Sequence, residues 1–193
     1  LAKGQFFLLP TSMLKIKGRH NWQNALAACA LADAIGIAAT SMMNVLQRFT
    51  GLPHRCQWVR SLNGVEWIND SKGTNIGATI SAISGIGDSI QGQIVLIAGG
   101  RGKDADFSEL RMSIAGYVRS VILLGEDAGK IETALEDIVR VVRASSLKNA
   151  VKLAQKEASP GDVVLMSPAC ASLDMFRDFN HRGDDFIAAV NAL

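Results

Sequence analysis

Ile94-Val95-Leu96-Ile97-Ala98 sets five apolar side chains in succession and runs directly into Gly99-Gly100. A strand with one wet face alternates apolar and polar residues. An unbroken apolar run suits a strand covered on both sides, as in a parallel sheet between helical layers. Val121 to Leu124 and Val163 to Met166 are runs of the same kind, and Ile138 to Val142 is a shorter strand. Helix-length segments lie between them: Ile76 to Ile86, Phe107 to Ala115, the stretch after Gly125-Glu126-Asp127 to Leu135, and one capped by Ser146 that ends near Glu157. Strands and helices alternating through short loops predict right-handed crossovers and an α/β fold with a mostly parallel sheet flanked by helices.

The chain before this region reads differently. Asn63-Gly64 between Cys56–Ser61 and Val65–Asn69 is a two-residue hairpin signal. Further upstream the periodicity is helical. Asn21 is the expected N-cap of a helix from about Trp22 to Ile35, with Gly36 as its stop. Thr40-Ser41 is the expected cap of a second helix, in which Met42, Val45, Leu46 and Phe49 recur on one face. Met13 to Lys17 alternates and predicts a short strand. The change from helical to strand periodicity at Gly51-Leu52-Pro53-His54-Arg55 sets a domain boundary, giving units 1–50 and 51–193. At the other end, helices are expected around Leu173 to Phe179 and again from Asp184 onward.

Composition excludes several function classes. The cations are scattered and the formal charge is only +2, so no nucleic-acid footprint is visible. Ala25 to Ala39 is the most apolar stretch, but Asp33 and Gly36 interrupt it, and it reads as a packed helix instead of a membrane span. Cys29, Cys56 and Cys170 are widely spaced and show no metal-ligand pattern, which suits a reducing compartment. The first residue is Leu1, and a longer parent protein is expected.

In an open α/β sheet, ligands bind beyond the carboxyl ends of the strands. Three post-strand loops concentrate polar groups there: Asp70 to Asn75, Gly99 to Asp104 and Ser167 to Ser172. Their lysines and hydroxyls (Lys72, Thr74, Lys103, Ser172) suit a small anion, and Asp70 suits a ribose, a metal or an amine. Gly99, Gly100 and Gly102 permit a close backbone approach to a ligand. Gly102-Lys103 is followed by Asp104 and preceded five residues earlier by Ile97, so it is not a Walker A loop. Plainer readings stand beside these. Asp70-Ser71 would serve equally as a helix cap, Ser167-Pro168 as a strand terminator, and Cys170 as buried filler. His20 and His54 read as structural, and Asp174, Asp178, Asp184 and Asp185 as caps or solvated charges of the terminal helices.

Five motifs occur in order: Gly18-x-His20-Asn21-x-x-Asn24, Leu52-Pro53-His54-Arg55, Asn69-Asp70-Ser71-Lys72-Gly73-Thr74-Asn75, Gly99-Gly100-x-x-Lys103-x-x-Asp106-Phe107, and Ser167-Pro168-Ala169-Cys170-Ala171-Ser172-Leu173-Asp174. Across its whole length the chain resembles the carboxyl-terminal part of the Mur ligases of bacterial cell-wall synthesis, in their D-glutamate-adding form. The resemblance implies a Rossmann-like amino-acid-binding domain at 51–193, preceded at 1–50 by the helical tail of a central ATPase domain.

It further implies that Asn21 and Asn24 approach the nucleotide base, and that Arg55 and Asp70 contact ribose and phosphates. Lys72 would lie near the phosphates or the amino acid. Thr74, Lys103, Ser172, Leu173 and Phe179 would form the D-glutamate pocket, the last two through backbone groups. The reaction implied is ATP-dependent ligation of D-glutamate to UDP-N-acetylmuramoyl-L-alanine through an acyl phosphate, with Mg2+ held by the part upstream of Leu1. The implied protein is cytoplasmic and monomeric, without nucleic-acid or membrane partners. With no P-loop, the fragment alone is expected to be inactive. The alternatives are another Mur-type or folylpolyglutamate ligase, or a non-catalytic nucleotide-binding module.

Overall fold

The chain, described for residues 1–3, 6–16 and 18–193 in a computed structural model, divides into two compact units, Leu1–Leu52 and Pro53–Leu193. In the first, β1 (Ala2–Lys3) pairs antiparallel with β2 (Phe6–Phe7), and α1 (Arg19–Ala34) is followed by α2 (Ala39–Arg48). The strand expected over Met13 to Lys17 is corrected. Thr11–Met13 is a 3-10 turn, and Lys17 lies outside the described residues. The alternation there is genuine, since Leu14 and Ile16 are buried and Lys15 is exposed. No neighbouring strand pairs with it among the described residues, and without pairing an extended segment is not a strand.

Both expected caps in this unit are also corrected. Gly18, at φ +92°, is the N-cap of α1, and its carbonyl accepts from the amides of Asn21 and Trp22. Asn21 therefore sits inside the first turn. α2 begins after Ala38 with no side-chain cap, so Thr40 and Ser41 are helical. Gly36 does stop α1, at φ +81°, with its amide bonded to the Asp33 carbonyl and that of Ile37 to Ala32.

The second unit is a six-stranded sheet. β3 (Gln57–Leu62) and β4 (Val65–Asn69) form the hairpin, and Asn63 and Gly64 both take positive φ, as a tight two-residue turn demands. α3 (Ile76–Gly87), β5 (Ile94–Ala98), a 3-10 turn at Phe107–Leu110 continuing into α4 (Arg111–Tyr117), β6 (Val118–Leu123), α5 (Ala128–Leu135), β7 (Arg140–Arg143), α6 (Leu147–Glu157), β8 (Val163–Met166) and α7 (Phe179–Asn191) follow. The sheet order is β3-β4-β8-β5-β6-β7, parallel except for β3. The chain end expected as two helices is one: α7 runs unbroken from Phe179, and residues 173–178 form turns. Asp178 caps it by accepting from the His181 amide at 2.8 Å.

The apolar run of β5 is divided between two cores. Ile94, Leu96 and Ala98 pack with α3, α4 and α5, while Val95 and Ile97 pack with α6 and α7. Each valine, leucine or isoleucine side chain so removed from water contributes about 1.5–3 kcal/mol. After β7 the chain crosses back past β6 and β5 and inserts β8, still parallel, between β4 and β5. This places the topological switch of the sheet at the end of β8.

Opposite the loops of interest, Asp162 ties the sheet together before β8. It accepts from the amides of Gln93 and Ser159 and from Arg119 Nε, at 2.8, 2.9 and 2.8 Å. Burial works to raise its pKa, but the Arg119 and amide bonds outweigh burial and hold it below the ordinary carboxylate value. Its stabilisation is then complete above the unfolded value of about 3.9 and lost as pH falls through the lower folded value. Asp162→Ala is expected to lower unfolding free energy by about 2–3 kcal/mol. Asp162→Asn should flatten the acid limb of stability against pH, and urea titrations at neutral and acid pH would check both. An acid limb unchanged in Asp162→Asn would refute the assignment.

Candidate functional site

Five strands end on one edge of the sheet, and the loops that leave three of them are bonded to one another. Ser167 Oγ donates to Asp70 Oδ2 at 2.7 Å, and the Ala169 amide donates to the Gly73 carbonyl at 2.9 Å. Arg101 and Ala171 exchange two backbone bonds as an isolated bridge, and the Gly99 amide donates to Pro168. The 167–172 loop is thus the centre strip, with 70–75 on one side and 99–104 on the other.

Two glycines of the 99–102 loop give room to neighbouring backbone. Gly99 and Gly100 adopt φ +118° and +129°, and a Cβ on either would collide with the carbonyl of Leu124 or Ala171. The amides of Gly99, Arg101 and Gly102 donate to Pro168, Ala171 and Asp127. These glycines let neighbouring loops pack, and the amides of Gly99 and Gly102 are bonded within the protein. Strain gathers at the same edge: His54, Cys56, Lys103, Asp104 and Ala169 are non-glycine residues at positive φ. Such conformations persist only where the surroundings impose them, and they concentrate at ligand sites.

Asp70 is buried, with Oδ1 accepting from the Cys56 amide at 3.1 Å and Oδ2 from Ser167. Burial raises its pKa to about 6, against the pull of Ser167, Cys56 and the Arg55 charge. Asp70 and Ser71 do not cap α3. Asn75 does, accepting from the Ala78 amide at 2.9 Å. Lys72 Nζ rests 3.8 Å above the Phe179 ring, and the Phe179 carbonyl accepts from Ser71 Oγ at 2.7 Å. Thr74 is half-buried, Lys103 and Arg55 are exposed, Ser172 is buried and Leu173 is exposed. Asn21 and Asn24 lie on α1 in the first unit, half-buried and exposed.

Sequence reasoning missed Arg182. It is buried on α7, and its guanidinium donates to Ser71 Oγ at 3.0 Å, the Ser71 carbonyl at 2.9 Å and the Cys170 carbonyl at 3.2 Å. No carboxylate is among these partners. Burial lowers its pKa to about 10, so it stays charged at neutral pH. A signal was present, because Arg182 falls in register with buried Phe186 and Val190 on one face of α7. His54 is buried, as a structural reading expects. The Asn69 amide donates to its Nδ1 at 3.0 Å, placing the ring proton on Nε2, which faces Asp184 at 3.8 Å. Ser167, open to both a ligand-loop and a strand-terminator reading, is bonded to Asp70.

A family model described as Mur ligase, glutamate ligase domain, matches residues 54–170. The chain belongs to the Mur ligase family. A Mur ligase of Legionella pneumophila, named UDP-N-acetylmuramoylalanine–D-glutamate ligase, is 67% identical over all 193 residues, and this is 43% of its own length. One of the same name from Acinetobacter baylyi is 52% identical over the whole chain and 44% of its own length. The chain therefore spans less than half of the curated Mur ligases it matches. Among solved structures, UDP-N-acetylmuramate–alanine ligase of Thermotoga maritima superposes with a TM-score of 0.67 at 17% identity, covering 93% of this chain and 39% of that one. MurF ligase of the same organism, solved in complex with ADP, gives 0.63 at 16%, covering 91% and 38%. At such identities the likeness is one of fold.

Proposed function

We propose that this chain is the amino-acid-binding end of an ATP-dependent ligase that joins D-glutamate to UDP-N-acetylmuramoyl-L-alanine in peptidoglycan synthesis. The observation that carries the reading is the 67% identity, over every residue of the chain, to a relative named for that reaction. Residues 1–50 are the end of the central ATPase domain, and 51–193 receive the amino acid. The alanine carboxylate of the sugar nucleotide takes the γ-phosphoryl group of ATP and becomes an acyl phosphate. The D-glutamate amine attacks its carbonyl carbon and loses a proton, and phosphate departs from the tetrahedral intermediate.

The residues here bind and orient. A dicarboxylate needs donors at both ends, and Thr74, Lys103 and Ser172, with backbone groups of Leu173 and Phe179, supply them. Lys72, seated on the Phe179 ring, stands between that pocket and the phosphates. Asn21 and Asn24 reach the base, and Arg55 and Asp70 the ribose and phosphates. Among the described residues no three His, Cys, Asp or Glu side chains converge as a cation would require. Mg2+ would be held by the portion that the relatives have and this chain does not. Also among the described residues, no helix is long and apolar enough to cross a membrane. The parent enzyme works as a cytoplasmic monomer.

Calorimetry with D- and L-glutamate tests the reading. The chain should bind D-glutamate weakly, with Kd of order 1 mM, and in preference to L-glutamate. Lys103→Ala should weaken binding about tenfold, and a phosphate-release assay should register no turnover by the chain alone. Preference for L-glutamate would transfer the chain to a folylpolyglutamate-type reading, and a silent Lys103→Ala would remove the pocket.

A further inference from the structure

Ser167 stands immediately after β8, at the switch point of the sheet. Its hydroxyl oxygen lies 2.7 Å from Asp70 Oδ2 and 3.0 Å from Thr79 Oγ1 on α3. An ionised carboxylate only accepts, so the Ser167 proton is directed at Asp70. The Thr79 hydroxyl then donates to Ser167, whose Oγ at 3.0 Å is nearer to it than the Ser167 carbonyl at 3.4 Å. A one-way relay results, running from α3 through the end of β8 to Asp70, and all three residues are buried. The Gly73 side of the relay is filled: a Cβ there would sit 2.5 Å from Asp70 Oδ2 and 2.6 Å from Ser167 Oγ. With the Cys56 amide on Oδ1 and Ser167 on Oδ2, the carboxylate plane has one orientation.

We propose that Ser167, backed by Thr79, is a positioning residue that holds Asp70 as an ionised acceptor of fixed orientation for the ribose hydroxyls of the nucleotide. The inference rests on the reading of Asp70 as a nucleotide contact given above. The other groups facing Asp70 are the Cys56 thiol and the Arg55 and Arg182 charges, and His54 stands behind Asn69. Burial pushes Asp70 up to about 6 even with the Ser167 bond in place. Its charge at neutral pH therefore depends on its donors. Without Ser167, Oδ2 is left buried and unpaired, and a proton takes the place of the lost donor. A protonated carboxyl spends one of its oxygens as a donor and accepts a ribose diol poorly.

The test follows the Asp70 carboxyl by carbon NMR of aspartate-labelled chain as pH is raised, with ADP affinity measured by calorimetry at each pH. In Ser167→Ala the Asp70 midpoint should rise by roughly one unit. ADP affinity at neutral pH should fall several-fold and return toward that of the unmodified chain at higher pH. Recovery with pH is what a merely structural lesion would not give. Thr79→Val, which keeps the shape and loses the donor, should raise the midpoint by less. An unmoved midpoint in folded Ser167→Ala overturns the proposal, and so does an affinity loss equal at every pH. If Ser167→Ala does not fold, Thr79→Val decides, and no shift there overturns it. If ADP binds the unmodified chain and Asp70→Asn equally, or binds neither, the nucleotide contact itself falls while the relay, read from the midpoints, stands. The two failures are thereby told apart.

Discussion

Arg182→Ala is expected to destabilise the Pro53–Leu193 unit by about 3–5 kcal/mol and to remove D-glutamate binding with it. The guanidinium is the common partner of Ser71 Oγ, the Ser71 carbonyl and the Cys170 carbonyl. Truncation leaves these acceptors buried without donors, each costing about 1–3 kcal/mol, and opens a void beside α7. The functional part follows from connectivity. Ser71 also donates to the carbonyl of Phe179, whose ring carries Lys72, so loop and helix come apart together. Arg182→Lys should recover little, because one ammonium cannot replace the planar fork that reaches two residues at once. Urea unfolding of both variants, with D-glutamate calorimetry, measures this. A loss under about 1 kcal/mol for the alanine variant would mean that the loops are held in some other way.

Gly99→Ala is expected to cost at least about 3 kcal/mol, for two reasons that add. Its φ of +118° is poorly open to an L side chain, and the new Cβ would overlap the Leu124 backbone carbonyl, which has no rotamer to move. That carbonyl follows β6, and the Gly99 amide is bonded to Pro168, so any shift spreads to three strands of the sheet. The unit should melt about 6–12 °C lower. Gly36→Ala is the control, with positive φ but open space around the Cβ position. Equal losses in the two variants would mean that backbone conformation alone sets the cost.

Local chemistry was legible where local chemistry decides the structure. Asn63-Gly64 requires a tight turn, Ser146 accepts from the Asn149 amide as a cap, and β5 and β8 begin and end where their apolar runs do. The same rules missed at Asn21, where Gly18 turns the chain three residues earlier, and at residues 173–178, which form turns ahead of the long α7. At the site, sequence marked Asp70, Lys72, Thr74, Lys103 and Ser172 by their concentration after strands. It gave Arg182 no weight, because one arginine in an apolar helical register looks like any helix cation until its surroundings are known. Nor did it show that Gly99 and Gly100 give room to the backbone at Leu124 and Ala171.

The residues themselves dictated which segments are strands, which are helices, and which ends carry polar loops, since these depend on side-chain periodicity and turn conformation within a few positions. The order of the strands does not. Parallel neighbours are chosen by how two helical layers cover the whole sheet, and nothing within β8 says that it enters between β4 and β5. That insertion alone brings Ser167 to Asp70, Ala169 to Gly73 and Ala171 to Arg101. A set of polar loops became one bonded edge only through contacts between residues 70 to 97 positions apart.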